Sequence, residues 1–289
     1  MKGIILAGGS GTRLYPITKG ISKQMIPIYD KPMIYYPLST LISAGIKEIL
    51  VISTPRDLPV FKQLLGDGSK LGLSFSYKEQ PKPEGLAQAF ILGKDFIKND
   101  DVCLILGDNI FYGSDLKESI NKAFKRVKEL KKAGIFGYHV QDPERYGVAE
   151  IDKNNNVVSL EEKPKFPKSN YAVIGLYCYP NDVVQKVKNI TPSKRGELEI
   201  TSLNNHYLND KRLTMEILEN EKIHWIDTGT QKTLIEASSL VYTIESRINK
   251  KIGCIEEQSY LAGNISSKEL KELLKDYGDN EYAKYLKRL

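Results

Sequence analysis

Three glycines in four residues, Gly8, Gly9 and Gly11, interrupt an apolar run and lead into Thr12 and Arg13. Without a Cβ, such a backbone turns sharply and can come close to a ligand. Successive N–H groups in a loop of this kind can converge on an anion. Arg13 adds a fixed positive charge with forked donors. The same stretch reads equally well as a tight strand–loop turn with an exposed arginine. Two familiar phosphate loops are excluded: no lysine and hydroxyl follow as a Walker loop requires, and no G-x-G-x-x-G opens a helix. Asp108 is a second candidate, because it follows the apolar run Val102–Leu106 at the carboxyl end of a strand, where open α/β sheets bind ligands. On those grounds alone a turn or helix-cap aspartate is the first reading. His139, His206 and His224 are scattered and offer no softer metal site. No serine, cysteine and histidine group suggests covalent catalysis.

Positioning these residues requires a sheet. Lys2–Ala7, Glu48–Ser53, Leu73–Glu79 and Val102–Leu106 read as strands. Helices are expected over Met33–Ala44 (with Pro32 at its start), Leu58–Leu65 and Leu86–Ile97. This alternation predicts an α/β, Rossmann-like sheet, mainly parallel, with helices on both faces. The second half changes rhythm. Ile135–Val140, Gly147–Asp152, Val157–Glu162, Ala172–Tyr179 and Leu213–Leu218 are strand-like, with a turn at Asn154–Asn156. Glu199–Leu208, Thr233–Lys250, Ser266–Tyr277 and Asn280–Leu289 are helical, the third with a capping signal from Ser266 and Glu269. One mixed domain over 1–240, split near residue 110 into two halves, and a helical segment over 241–289 is the simplest partition.

The chain has 289 residues, 41% hydrophobic and 27% charged, with a net charge of +6, values ordinary for a soluble globular protein. Its lysines are spread without a polybasic block, so a nucleic-acid face is not demanded, whereas small anionic substrates fit. Cys103, Cys178 and Cys254 are far apart and lack metal-ligand spacing; the first two read as buried hydrophobes in a reducing compartment. No run is long and apolar enough to span a membrane, and the first residues read as a strand, so a cytoplasmic location is expected.

The string GGSGTRLYPITKGISKQMIPIYDKPMIYYPL resembles the signature of sugar-nucleotide pyrophosphorylases, and SKQMIPIYDKPMIYYPLS their glucose-1-phosphate thymidylyltransferase branch. The likeness continues, in order, through QPKPEGLAQAF, LGDNIFYG, RYGVAEID, LEEKP, RGELEIT and WIDTGT. It implies that Gly8, Gly9, Gly11, Thr12, Arg13, Lys23 and Gln24 surround a nucleoside triphosphate, and that Gln80 and Gly85 meet a pyrimidine edge. Asp108 and Asp227 would hold Mg²⁺, two hard oxygen ligands suiting that ion. Asn109, Tyr146, Gly147, Glu162, Lys163, Val173 and Arg195 would form the sugar-phosphate pocket, with Tyr146 and Trp225 as walls. The implied reaction joins dTTP and glucose 1-phosphate, with Arg13, Lys23, Asp108, Lys163 and Asp227 carrying it, and leads towards dTDP-rhamnose and other deoxysugars. UTP or another sugar phosphate is the nearest alternative, and a catalytically silent sensing subunit a more distant one. The branch is commonly homotetrameric, with a second nucleotide site at a subunit interface; Tyr112, Gly113, Lys251, Gly253 and Glu257 resemble its lining, and equally read as a turn and a helix end.

Overall fold

An apolar run without alternation must be covered on both faces, and β1 (Lys2–Leu6) is buried along its whole length. The structure, a computed structural model, describes residues 1–289. From β1 the chain passes through α1 (Ile17–Gly20) and a short ribbon, β2 (Pro27–Ile28) with β3 (Lys31–Pro32), into α2 (Tyr35–Ser43). Pro32 is held in the ribbon, so this helix starts at Tyr35 rather than Met33. β4 (Glu48–Ser53), α3 (Leu58–Leu65) and β5 (Ser74–Glu79) follow. The single helix expected over Leu86–Ile97 is two, α4 (Gln88–Leu92) and α5 (Lys94–Ile97). They part at Gly93, where a Cβ would lie 3.0 Å from Ile4 Cδ1, because the sheet presses on the backbone there.

β6 (Val102–Leu106) is followed by two elements that local pattern did not reveal, β7 (Asn109–Gly113) and α6 (Leu116–Leu130). α6 buries only Leu116, Ile120, Ala123 and Val127, a narrow stripe within a lysine-rich segment. β8 (Ala133–His139), β9 (Gly147–Ile151), β10 (Val157–Glu162), β11 (Tyr171–Tyr179), α7 (Val183–Lys186), α8 (Ile200–Asn209), β12 (Leu213–Leu218) and β13 (Ile223–Asp227) come next. The main sheet runs β10-β9-β11-β6-β1-β4-β5, with β8 and β12 continuing from β11. β5, β4, β1 and β6 are parallel, with Ile5 opposite Val51 on one side and Ile105 on the other. β11 then reverses direction and pairs antiparallel with β6, β8 and β9. Large apolar clusters fill both faces.

α9 (Gln231–Ile248) contains residue 240, so the expected boundary falls inside a helix that ends at the left-handed Asn249. α10 (Ile255–Leu261) packs on α2, and α11 (Ser267–Leu273) and α12 (Glu281–Leu286) complete the chain. The Ser266–Glu269 capping box is present at the start of α11. Cys103 and Cys178 are buried, unbridged neighbours with sulfurs 3.9 Å apart, and Cys254 is also free. No helix is long and apolar enough to cross a membrane.

Candidate active site

β6 carries Asp108 to its carboxyl end, and the next residue opens β7. β7 pairs antiparallel with β13, and Asn109 lies opposite Asp227 in that register. This second, two-stranded ribbon brings the two aspartates side by side. Thr228 secures the junction, its hydroxyl donating to Asp108 O at 2.8 Å. Lys23 Nζ donates to Asp108 Oδ2 at 2.5 Å, and Asn109 Nδ2 to Oδ1 at 2.9 Å. Asn109 has no freedom to turn its amide: Trp225 Nε1 and Gly175 N both donate to its oxygen, at 2.7 and 3.2 Å. Burial pushes the Asp108 carboxyl up, but the Lys23 charge and these hydrogen bonds outweigh it and hold it below the usual aspartate range. Asp227 goes the other way. Burial raises it, and the Asp108 charge raises it further. Its nearest cation is Arg145, 3.9 Å away. Gly229 keeps a gap open beside it: a Cβ there would sit 3.0 Å from Arg13 Nη1 and 3.2 Å from Asp227 Oδ2.

Two cavities meet at this point and share Arg13, Leu86, Leu106, Asp108 and Glu197. The smaller, about 330 Å³, is lined by Gly8, Gly9, Gln24, Gln80 and Gly85. The larger, about 580 Å³, is lined by Asn109, Tyr146, Gly147, Glu162, Lys163, Val173, Arg195, Trp225 and Asp227. One side therefore presents a glycine loop and amides, and the other carboxylates, cations and aromatic walls. The loop between them is bolted down by Leu198, whose N–H donates to Glu84 O at 2.7 Å and whose carbonyl accepts from Ala87. Gly85 is needed at that crossing: its φ is +105°, and a Cβ would come within 2.4 Å of Leu198 O.

Residues 2–243 match the model of a nucleotidyl transferase family. The chain belongs to that family. It is 54% identical, over the whole chain and 99% of the relative, to a glucose-1-phosphate thymidylyltransferase of Neisseria meningitidis. A protein of the same name from Mycolicibacterium smegmatis is 52% identical over the same spans. Among solved structures, a candidate glucose-1-phosphate thymidylyltransferase from Bacillus anthracis, in complex with sucrose, shares 43% identity at a TM-score of 0.76, covering 83% of this chain and 94% of that one. A UDP-glucose pyrophosphorylase complexed with UDP-glucose shares 25% at 0.74, covering 84% and 98%.

In this nucleotidyl transferase, Lys163 follows β10 in a left-handed conformation, φ 45°, fixed by its N–H on Tyr146 O at 3.0 Å. Its ammonium and the Arg13 guanidinium have no carboxylate within ion-pair distance, so the chain supplies two free cations to the larger cavity. Arg195 is tied to Glu199 at 2.8 Å and approaches Glu162 at 3.4 Å. Thr201 on α8 donates to Glu162 Oε2 at 2.5 Å. Tyr146 and Trp225 stand edge to face, 5.3 Å apart. Arg145, Tyr177, Glu197, Glu199 and Thr201 also line the cavity. Nothing short of the fold singled them out, although Arg145 adjoins Tyr146 and the acids lie inside RGELEIT. Gly11, Thr12 and Lys23 are absent from both linings. Thr18 Oγ1 donates to Gly11 O at 2.7 Å, Thr12 opens a 3-10 turn to Leu14, and Lys23 reaches the site only through Asp108.

The remaining predicted residues lie elsewhere. Tyr112 and Gly113 end β7, with the Tyr112 ring stacked on His224. Lys251 is drawn into ion pairs with Asp30 and Glu245. Gly253 faces the Tyr36 ring, where a Cβ would lie 2.6 Å from a ring carbon. Glu257 Oε1 accepts from Tyr285, while its buried Oε2 has no partner.

Proposed function

We propose that this nucleotidyl transferase joins dTTP and α-D-glucose 1-phosphate into dTDP-glucose, releasing pyrophosphate. The observation that carries the reading is the meeting of the two cavities at Arg13 and Asp108. The full-length similarity to glucose-1-phosphate thymidylyltransferases supports the choice of substrates. The glycine loop, Arg13, Lys23 and Gln24 take the triphosphate, and Gln80 with the Gly85 backbone takes the base. Glu162, Gly147 and Val173 meet the sugar, and Lys163 and Arg195 its phosphate. An oxygen of that phosphate attacks the α-phosphorus in line, and pyrophosphate leaves. Both partners are anions, so positioning and charge neutralisation are the work the chain has to do. Arg13 and Lys23 offset charge at the nucleotide, and Lys163 orients the attacking phosphate.

Asp108 and Asp227 would hold Mg²⁺. The donor set fits: two hard oxygens side by side, close enough for one to raise the other's pKa, with no third His, Cys, Asp or Glu to complete a closed cage. A bound cation would supply charge neutralisation for the polyphosphate.

In this reading the nucleotide half is about residues 1–110 and the sugar half runs from about 111 to the start of α9, with the helical remainder following. The rhamnose pathway and a cytoplasmic location belong to the same reading. So does a homotetramer; the exposed apolar side chains of Tyr29, Ile235, Tyr242 and Ile248 favour association with another chain, whatever the number of copies. A second nucleotide site near Tyr112, Gly113, Lys251, Gly253 and Glu257 is part of the same reading.

Pyrophosphate release, measured with a panel of nucleoside triphosphates against sugar 1-phosphates, tests the proposal. dTTP with glucose 1-phosphate should be best. UTP should be used less well, since one methyl group discriminates by only about 1–3 kcal/mol. Release with no pair would leave a silent sensing subunit, and a different best pair would replace the substrates named.

A further inference from the structure

Gln80 stands at the end of a row of hydrogen bonds. Its Nε2 donates to Gln88 Oε1 at 2.7 Å. Gln88 Nε2 donates in turn to Glu84 Oε2 at 2.7 Å. The backbone N–H of Glu84 also reaches Gln88 Oε1, at 3.3 Å. Gln80 and Gln88 are 3% and 8% exposed, so water competes little for these bonds.

An amide can turn either its oxygen or its NH₂ towards a neighbour with no change of shape. A carboxylate has no such choice, because it only accepts. Glu84 therefore draws the Gln88 NH₂ towards itself. The Gln88 oxygen then faces Gln80, and Gln80 must turn its NH₂ inward and its oxygen outward. No donor of the chain reaches that oxygen. It lies on the wall of the smaller cavity beside Gly8, where a Cβ would come within 2.3 Å of it. Any larger residue at position 8 would cover the oxygen.

We propose that Glu84 and Gln88 are positioning residues that set the polarity of Gln80, and through it the class of base accepted. An outward oxygen pairs with an N–H on the base edge, as keto pyrimidines present at N3. It repels the bare N3 acceptor of cytosine. The two amide orientations have the same volume, so at this atom hydrogen-bond polarity, and not size, separates the bases. Glu84 can serve as the fixed end of the relay because its own backbone is held by Leu198. The proposal rests on the reading of Gln80 as a base contact.

The test is the ratio of kcat/KM for dTTP to that for dCTP, with glucose 1-phosphate and the full chain. Gln88→Met keeps the volume and removes both polar groups. It should lower the ratio about tenfold or more, the effect of one mis-set hydrogen bond. Glu84→Gln should lower it less, because the residue-84 N–H still favours the original Gln88 orientation. The exchange Glu84→Gln with Gln88→Glu puts a carboxylate directly on Gln80 Nε2 and should restore a ratio near that of the parent. A purely structural role would depress both substrates together and predicts no such recovery. Gln80→Leu separates the two layers. If it collapses the ratio while Gln88→Met and Glu84→Gln keep the parental value, the base contact stands and the relay is overturned. If Gln80→Leu itself keeps the parental ratio, the base contact is wrong and the relay falls with it.

Discussion

Two quartets of charge in this chain are assembled from the same parts and put to opposite ends. Arg13, Lys23, Asp108 and Asp227 form one; Lys31, Lys251, Asp30 and Glu245 form the other. The same two segments serve both, since the stretch from Arg13 to Lys31 and the stretch from Asp227 to Glu245 each contribute at both ends. In the second quartet every charge is answered. Lys31, 1% exposed, pairs with Asp30 and Glu245, and Lys251 pairs with the same two acids. Glu245 also accepts the Ile252 N–H at 2.8 Å. Lys251 lies near the rings of Tyr29, Tyr282 and Tyr285. This closed cluster ties the end of α9 to the β2–β3 ribbon. In the first quartet only Lys23 and Asp108 are matched. Arg13 is free, and Asp227 is left with a distant arginine and a neighbouring negative charge. Complete pairing makes a bolt, and incomplete pairing makes a place for charged ligands.

The largest effect should come from opening the bolt. Glu245→Ala leaves Asp30 as the one carboxylate facing both Lys31 and Lys251, so one buried positive charge goes unanswered. This should cost about 3–5 kcal/mol in denaturant unfolding, with kcat near parental in the protein that remains folded. A fall in kcat with unchanged stability would mean that the two quartets are not separate in role.

Asp108→Asn and Asp227→Asn should invert that pattern, each losing about 10²–10³ in kcat from a folded chain. Activity should need Mg²⁺, tolerate Mn²⁺ and vanish with chelator. Full turnover by either variant would leave the charge to Arg13, Lys23 and Lys163 alone.

Lys163→Ala should raise the sugar-phosphate KM far more than the dTTP KM, by roughly 1.5–3 kcal/mol for a lost charge-assisted contact. Equal effects on both substrates would remove Lys163 from the sugar phosphate.

The smallest effect is the most discriminating. In chelator at neutral pH, Asp227→Asn should be as stable as the parent or slightly more so, whereas Asp108→Asn, which leaves Lys23 unmatched, should be less stable. The folded chain holds the Asp227 proton to higher pH than the unfolded chain does. Stability is therefore lost as pH rises through its elevated pKa, and asparagine escapes that loss. The advantage should fade as pH falls towards the ordinary aspartate range near ~4. A destabilised Asp227→Asn would show that this carboxylate is as well satisfied as those of the bolt.

Local sequence carried a good part of the molecule. β4, α3, β6, β10 and β12 follow from unbroken or alternating apolar runs bounded by turn residues, and the cap of α11 from a serine and glutamate three apart. The glycine loop and the carboxyl end of β6 were legible as candidate chemistry, because a missing Cβ and a polar residue after an apolar run are properties of a few adjacent letters. β7 and β13 were not, since each is short and is a strand only because the other pairs with it. That pairing sets Asp227 beside Asp108, raises its pKa and leaves it short of a partner. The break at Gly93, the division of charges between bolt and cleft, and the outward oxygen of Gln80 belong to the same class. Each depends on which atoms lie within a few ångströms, and packing brings those atoms together from segments whose local patterns carry no information about one another.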